Sequence, residues 1–283
     1  MQRLAGFILR GPGQATAVAV GAMVLPFLFW LGAAAVGLVT LRLGPRQGLV
    51  IGLWALLPAL AWFSVGIDPA PLVVLLITFA MCTVLQSTVS WEKALMVGAA
   101  LAIGIGQALP AVAPALFDHL VTAAQQGYGD RLANMTQELP EDVDLETVIR
   151  TVMVAVVGVF NYTLALVATL LARGWQARLF NPGGLQREFH EFRLSVPTVT
   201  GILVLMAAGE FLGLNGTLLL LVLGLPLVLA GLALVHGAVV KRGLGTGWIV
   251  GFYIGLVVLV PWLLLVLVLV AVIDSWLDIR QRL

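Results

Sequence analysis

"RGWQARLFNPGGLQREFHEFRLS", residues 173–195, carries four arginines, two glutamates and a histidine between two long apolar runs. Three readings compete for it: a catalytic loop, a ligand-binding loop, or a turn where the chain leaves a membrane on its positive side. Composition favours the last. Of 283 residues, 61% are apolar and 10% charged, against about 25% charged in a soluble domain. Apolar runs fall at about 15–41, 48–66, 70–90, 94–117, 148–172, 196–213, 217–240 and 246–277. A hydrocarbon core ~30 Å thick needs about 20 such residues per helix. The runs are continuous, whereas membrane β-barrel strands alternate. The expected fold is all-α: one integral membrane domain over residues 1–283, a polytopic helical bundle of about eight to ten segments.

The count turns on two interrupted runs. The first is broken by Pro26 and the last by Pro261. Proline inside a helix removes a hydrogen bond and clashes with the preceding turn. Read as hairpins, the two runs put their flanking arginines on one side. The segment 118–147 holds seven acids and one basic residue, Arg131. Short loops rich in Lys and Arg stay in the cytoplasm. With both hairpins, thirteen of the fifteen basic residues face that side, and only Arg131 and Arg150 do not. The N-terminus is then cytoplasmic, 118–147 is an acidic extracytoplasmic segment, and 173–195 is a basic cytoplasmic loop. The start "MQRLAGFILRGPGQ" reads as an uncleaved interfacial segment, because no small-x-small cleavage site follows.

Within the opening stretch, Leu185, Phe189 and Phe192 lie at i, i+4 and i+7. That spacing predicts a short amphipathic helix. Lying in the headgroup layer, it turns its apolar face down and its arginines toward anionic lipid. Phe189 and Phe192 are candidates for docking a partner.

Chemistry-bearing motifs are few. No GxSxG, HExxH or Walker sequence occurs. "GYGD" at 127–130 matches a string of intramembrane aspartyl proteases, but Asp130 lies in the polar acidic segment without a paired carboxylate in an apolar run. It reads as a turn in a solvated loop. Cys82 stands alone in an apolar run and reads as a small buried hydrophobe. No enzyme, cofactor or metal site is expected. A net charge of +1 gives no ground for a nucleic-acid partner.

Polar groups inside spans are expensive and often functional. Gln86, Asn161, Glu210 and His236 are the candidates for lining a small-molecule pocket. Each also has a plainer reading, as a helix-to-helix amide bond or an interfacial group. Asp274, Asp278 and Arg280 read as a tie to the basic side. Gly247, Gly251 and Gly255 form one GxxxGxxxG stripe, and Gly44, Gly48 and Gly52 another. Such stripes let helix backbones approach closely, within the chain or across to another membrane protein.

The broken first run, "VTLRLGPRQG" at 39–48, "ARGWQARLFNPGGLQREFHEFRLS" at 172–195, "GLALVHGAVVKRG" at 231–243 and "DSWLDIRQR" at 274–282 together resemble the YybS-like family of bacterial inner-membrane proteins. That family is similar in turn to the S components of energy-coupling-factor transporters and to the rod-shape protein MreD. The likeness implies an S-component-like bundle in the bacterial cytoplasmic membrane. S components dock their coupling subunit through small residues of the first helix, a part that falls here to Ala15 and Ala19. Two functions follow as expectations: a transporter-like binding subunit energised by a separate ATPase module, or an MreD-like scaffold for envelope proteins.

Overall fold

The computed structural model describes residues 2–65, 68–138 and 144–282, with the backbone alone at 130–138 and 282. Its helices are α1 (Gln2–Ile8), α2 (Pro12–Val24), α3 (Phe29–Leu43), α4 (Pro45–Ser64), α5 (Ala70–Thr88), α6 (Trp91–Val112) and α7 (Pro114–Glu138). There follow α8 (Leu145–Phe180), α9 (Gly184–Glu191), α10 (Val196–Ala208), a 3-10 turn at Glu210–Leu212, α11 (Gly216–Lys241), α12 (Thr246–Val258), α13 (Val260–Leu277) and α14 (Ile279–Arg282). The fold is all-α, as composition predicts.

Among the described residues, six helices are long and apolar enough to cross a membrane: α4, α5, α6, α8, α11 and α13. Counting α9 and α10, bent by 66°, as one span makes seven. The expected eight to ten is therefore corrected downward. The physical reason is length. Helices α2, α3, α10 and α12 have only 13 to 15 residues each, about 20 Å at 1.5 Å per residue, well short of the hydrocarbon core. Hydropathy alone cannot see where a helix stops.

Helix α8 is the axis of the bundle and packs against α3, α5, α6 and α11. At 36 residues it is about 54 Å long and outruns the bilayer. Small residues set its seams. A Cβ on Gly158 would lie 2.4 Å from the Leu218 side chain, and one on Gly98 would lie 2.8 Å from the Tyr162 ring. Tyr162, fully buried, donates its hydroxyl to the Leu95 carbonyl at 2.8 Å and so joins α8 to α6. Without water in lipid, such a hydroxyl has to find a protein partner.

Helices α2 and α3 form a hairpin whose tip carries Pro26. The tip meets the last turn of α4, where Trp62 donates its indole N–H to the Met23 carbonyl at 3.1 Å. The next reversal, α3 to α4, has Gly44 in the left-handed region at φ 98° and Pro45 opening the new helix, a stop-and-start pair that needs no side-chain cap. Gly48 then lies against Thr40, where a Cβ would come within 2.0 Å of the hydroxyl.

The segment 118–147 is not a loop, as expected, but largely helical. Its first part belongs to α7, which holds to the bundle through Phe117 and Val121. "GYGD" is likewise no loop turn: it lies inside α7, with a kink at Tyr128 (φ −127°, ψ 19°). Glu141 and Asp142, and the side chains of Asp130, Arg131 and Glu138, lie outside the described residues.

Candidate functional site

Tertiary contacts gather the basic residues at one end of the bundle. Gln176 donates to the Leu41 carbonyl at 2.9 Å, and the Arg42 guanidinium sits 3.9 Å over the Phe180 ring. These join the α3–α4 turn to the end of α8. The Lys241 ammonium reaches the Arg280 carbonyl at 2.6 Å, so the chain leaves this end after α11 and returns to it after α13. The opposite end is held by Arg150, 2.6 Å from Asp118 and 3.4 Å from Glu146. There too Asn215 caps α11, accepting from the Leu218 N–H at 2.9 Å and donating to the Thr151 carbonyl at 2.9 Å.

Helix α9 is the centre of the basic end. Gly183, at φ 80°, makes the turn that lays it back across the bundle. Glu188 is the anchor: Arg173 of α8 donates to it through Nε at 3.1 Å and through a second guanidinium nitrogen, and Trp91 of α6 donates its indole N–H at 3.0 Å. Burial alone pushes the Glu188 carboxyl up, but the bonds from Arg173 and Trp91 and the charges of Arg173 and Arg187 outweigh it and hold it below the usual range. At the far end of α9, Arg280 donates to the His190 carbonyl at 2.7 Å and pairs with buried Asp274 at 3.3 Å. Arg193 pairs with Asp278 at 2.5 Å. Ser195 donates both its N–H (3.1 Å) and its hydroxyl (2.5 Å) to Glu92.

The structure sets the apolar side of α9 against the bundle. Phe192 is 6% exposed and belongs to the core. Phe189 packs edge-on against the His236 ring, centroids 5.3 Å apart. Ala15 and Ala19, 2% and 0% exposed, are likewise spent inside the chain. A Cβ on Gly32 would meet the Ala19 carbonyl at 2.6 Å, so α3 already occupies that face of α2.

The four pocket candidates do not converge. Gln86 lies at the basic end and lines a cleft of about 220 Å³ with Leu41, Leu85, Val89, Arg173, Gln176 and Glu188. Asn161 is 3% exposed in mid-α8; its amide donates to Val157 of its own helix at 2.8 Å and its carbonyl oxygen has no partner. Glu210 is exposed at the opposite end, its carboxylate over Gly216. His236 bonds the Leu232 carbonyl at 2.9 Å within α11 and lies 3.4 Å from the Tyr253 hydroxyl.

The two glycine stripes have opposite fates. Gly48 and Gly52 face Thr40 and Val36 of the neighbouring helix. At Gly247, Gly251 and Gly255 a Cβ would meet nothing within 4 Å, and α12 buries no residue at all. Shallow grooves run beside it, one of about 590 Å³ lined by Gly245, Gly247, Trp248, Gly251 and Phe252. Sequence reasoning found the stripe but not its vacancy. It missed the Trp91–Glu188 and Glu92–Ser195 bonds, whose partners are 97 and 103 residues apart and share no local signal.

Comparison with family models, with curated proteins and with solved structures gives no match to this chain. Fold and site together define an integral membrane protein built as a helical bundle, with a charged seam at one end and one apolar helix left uncovered.

Proposed function

We propose that this protein is an assembly subunit of the bacterial cytoplasmic membrane, with its N-terminus inside, which binds a helix of another membrane protein along α12. One observation carries the reading. The Gly247, Gly251 and Gly255 face is empty, whereas Gly48 of α4 is packed tight against Thr40. Backbones in lipid associate through such small-residue faces, because lipid supplies no hydrophobic drive between helices. The likeness to the YybS-like family, and through it to MreD, fits the same reading. Orientation follows from charge: Arg173 and Arg178 of α8, Arg187 of α9 and Arg42 and Arg46 of the α3–α4 turn share one end, the end that positive residues hold in the cytoplasm.

A transporter-like subunit, whose ATPase partner would dock on Ala15 and Ala19, draws less support. That face is covered, and Gln86, Asn161 and Glu210 stand at three levels of the bundle. Nor does the charged seam read as catalytic: its carboxylates are engaged by arginines, an indole and a hydroxyl, which suits a structural tie. The test is disulfide or photo-crosslinking in native membranes from Gly251→Cys. A discrete adduct, lost in Gly247→Leu, supports the reading. An unlinked chain at every α12 position sinks it.

A further inference from the structure

Four arginines, Arg3, Arg10, Arg42 and Arg46, precede the first acidic residue of the chain, Asp68. Elsewhere at the basic end Arg173, Arg193 and Arg280 are answered by Glu188, Asp278 and Asp274. In the sector formed by α1 to α4 no carboxylate exists in the sequence to do so. Arg10 lies 5.9 Å from the Phe7 ring and Arg42 stacks on Phe180, contacts that shelter a guanidinium without neutralising it.

The same sector contains an apolar groove of about 280 Å³, between the α1–α2 turn and the α3–α4 hairpin. Ile8, Leu9, Ala15, Val39, Leu43 and Val50 are among its walls. Leu43 and Val50 are half exposed, so the groove opens toward lipid. Two exposed arginines adjoin wall residues in the chain: Arg10 stands between Leu9 and Gly11, and Arg46 precedes Gln47. We propose that this groove binds one anionic phospholipid, an acyl chain between α2 and α4 and the phosphate between Arg10 and Arg46. A neutral lipid would fill the slot and leave the charge unanswered. An anionic lipid answers both, with each arginine near the surface adding its own attraction. The proposal is independent of α12.

The test counts lipids on delipidated full-length protein by native mass spectrometry, offering phosphatidylglycerol and phosphatidylcholine with identical chains. The expected result is one phosphatidylglycerol retained per chain, preferred roughly thirtyfold if both arginines contribute. Arg10→Gln with Arg46→Gln brings the two lipids near parity. Val50→Trp, which plugs the slot from an exposed position, lowers retention of both. Arg178→Gln with Arg187→Gln, removing equal charge elsewhere at the same end, leaves the preference intact. Equal retention of the two lipids by the wild type overturns the proposal. So does a preference that survives the Arg10 and Arg46 changes or is lost equally in the Arg178 and Arg187 control. Displacement of the lipid by millimolar inorganic phosphate also overturns it, since the chain would then play no part.

Discussion

Arg173 on α8 and Glu188 on α9 are joined by a two-point ion pair across the Gly183 turn, fifteen positions apart in the chain. Both side chains are mostly buried, at 16% and 26% exposed. The pair folds α9 back onto the bundle, and Trp91 locks it to α6.

Glu188→Gln is therefore expected to loosen α9. It removes a charged acceptor serving two donors and leaves Arg173 half-buried without its counter-charge. Bonds to charged groups contribute about 2 kcal/mol. Thermal unfolding in detergent should show a loss of that order, and a cysteine placed at Phe189 should gain reactivity toward a water-soluble maleimide. Unchanged reactivity would mean that Arg280 and the other contacts of α9 hold it without the pair.

Acid should reproduce the same loosening. Glu188 titrates below the ordinary glutamate value of 4.5 in the folded chain. A carboxyl with a depressed folded value contributes stability that is complete above its unfolded value and is lost as pH falls through the folded one. Maleimide reactivity at a cysteine replacing Phe189, divided by that of a small free thiol at the same pH to remove the thiolate dependence, should stay flat from neutrality to about pH 5 and rise only below about 4.5. A rise centred near neutrality would mean that a group other than Glu188 controls the seating of α9.

A glycine at a packed face and one at an open face predict opposite outcomes for one kind of change. Gly231→Ala puts a methyl group 2.5 Å from the Leu267 carbonyl, where only backbone could yield. Overpacking of this kind costs about 1–3 kcal/mol, so unfolding in detergent should shift clearly. Gly251→Ala meets open space and should leave the isolated protein's stability unchanged or slightly higher. In native membranes it should instead weaken the crosslink formed from α12.

Sidedness is the most direct check on the map. Thr122 is exposed on α7 and Arg187 on α9, at opposite ends of the bundle. Thr122→Cys should react with an impermeant reagent added outside intact cells, and Arg187→Cys only after the membrane is opened. Labelling of both from one side would overturn the orientation.

Much of this was open to reading along the chain. The arginine at 173 and the glutamate at 188 stood in one conspicuous stretch, yet their pairing depended on how sharply the chain turns at Gly183. The amphipathic spacing of Leu185 and Phe189 foretold a helix, but not whether lipid or protein would receive its apolar face. Periodicity reports that a face is apolar; only the neighbours decide what covers it. For the same reason the sequence leaves open what Asn161 meets, and in the structure its amide bonds a carbonyl of its own helix four residues back.

Sequence by itself determined the material of this protein and the sorting of its charge. Apolar runs too long for water require helices in lipid, and arginine placement follows from the cost of carrying positive charge across a bilayer; both are sums over single residues. Tertiary structure decided which short helices fall short of a crossing, which glycine stripe is filled and which stands open, and that the polar residues of the spans share no common chamber. Those outcomes depend on where backbones approach within a few ångströms, a property of pairs of helices that no residue carries alone.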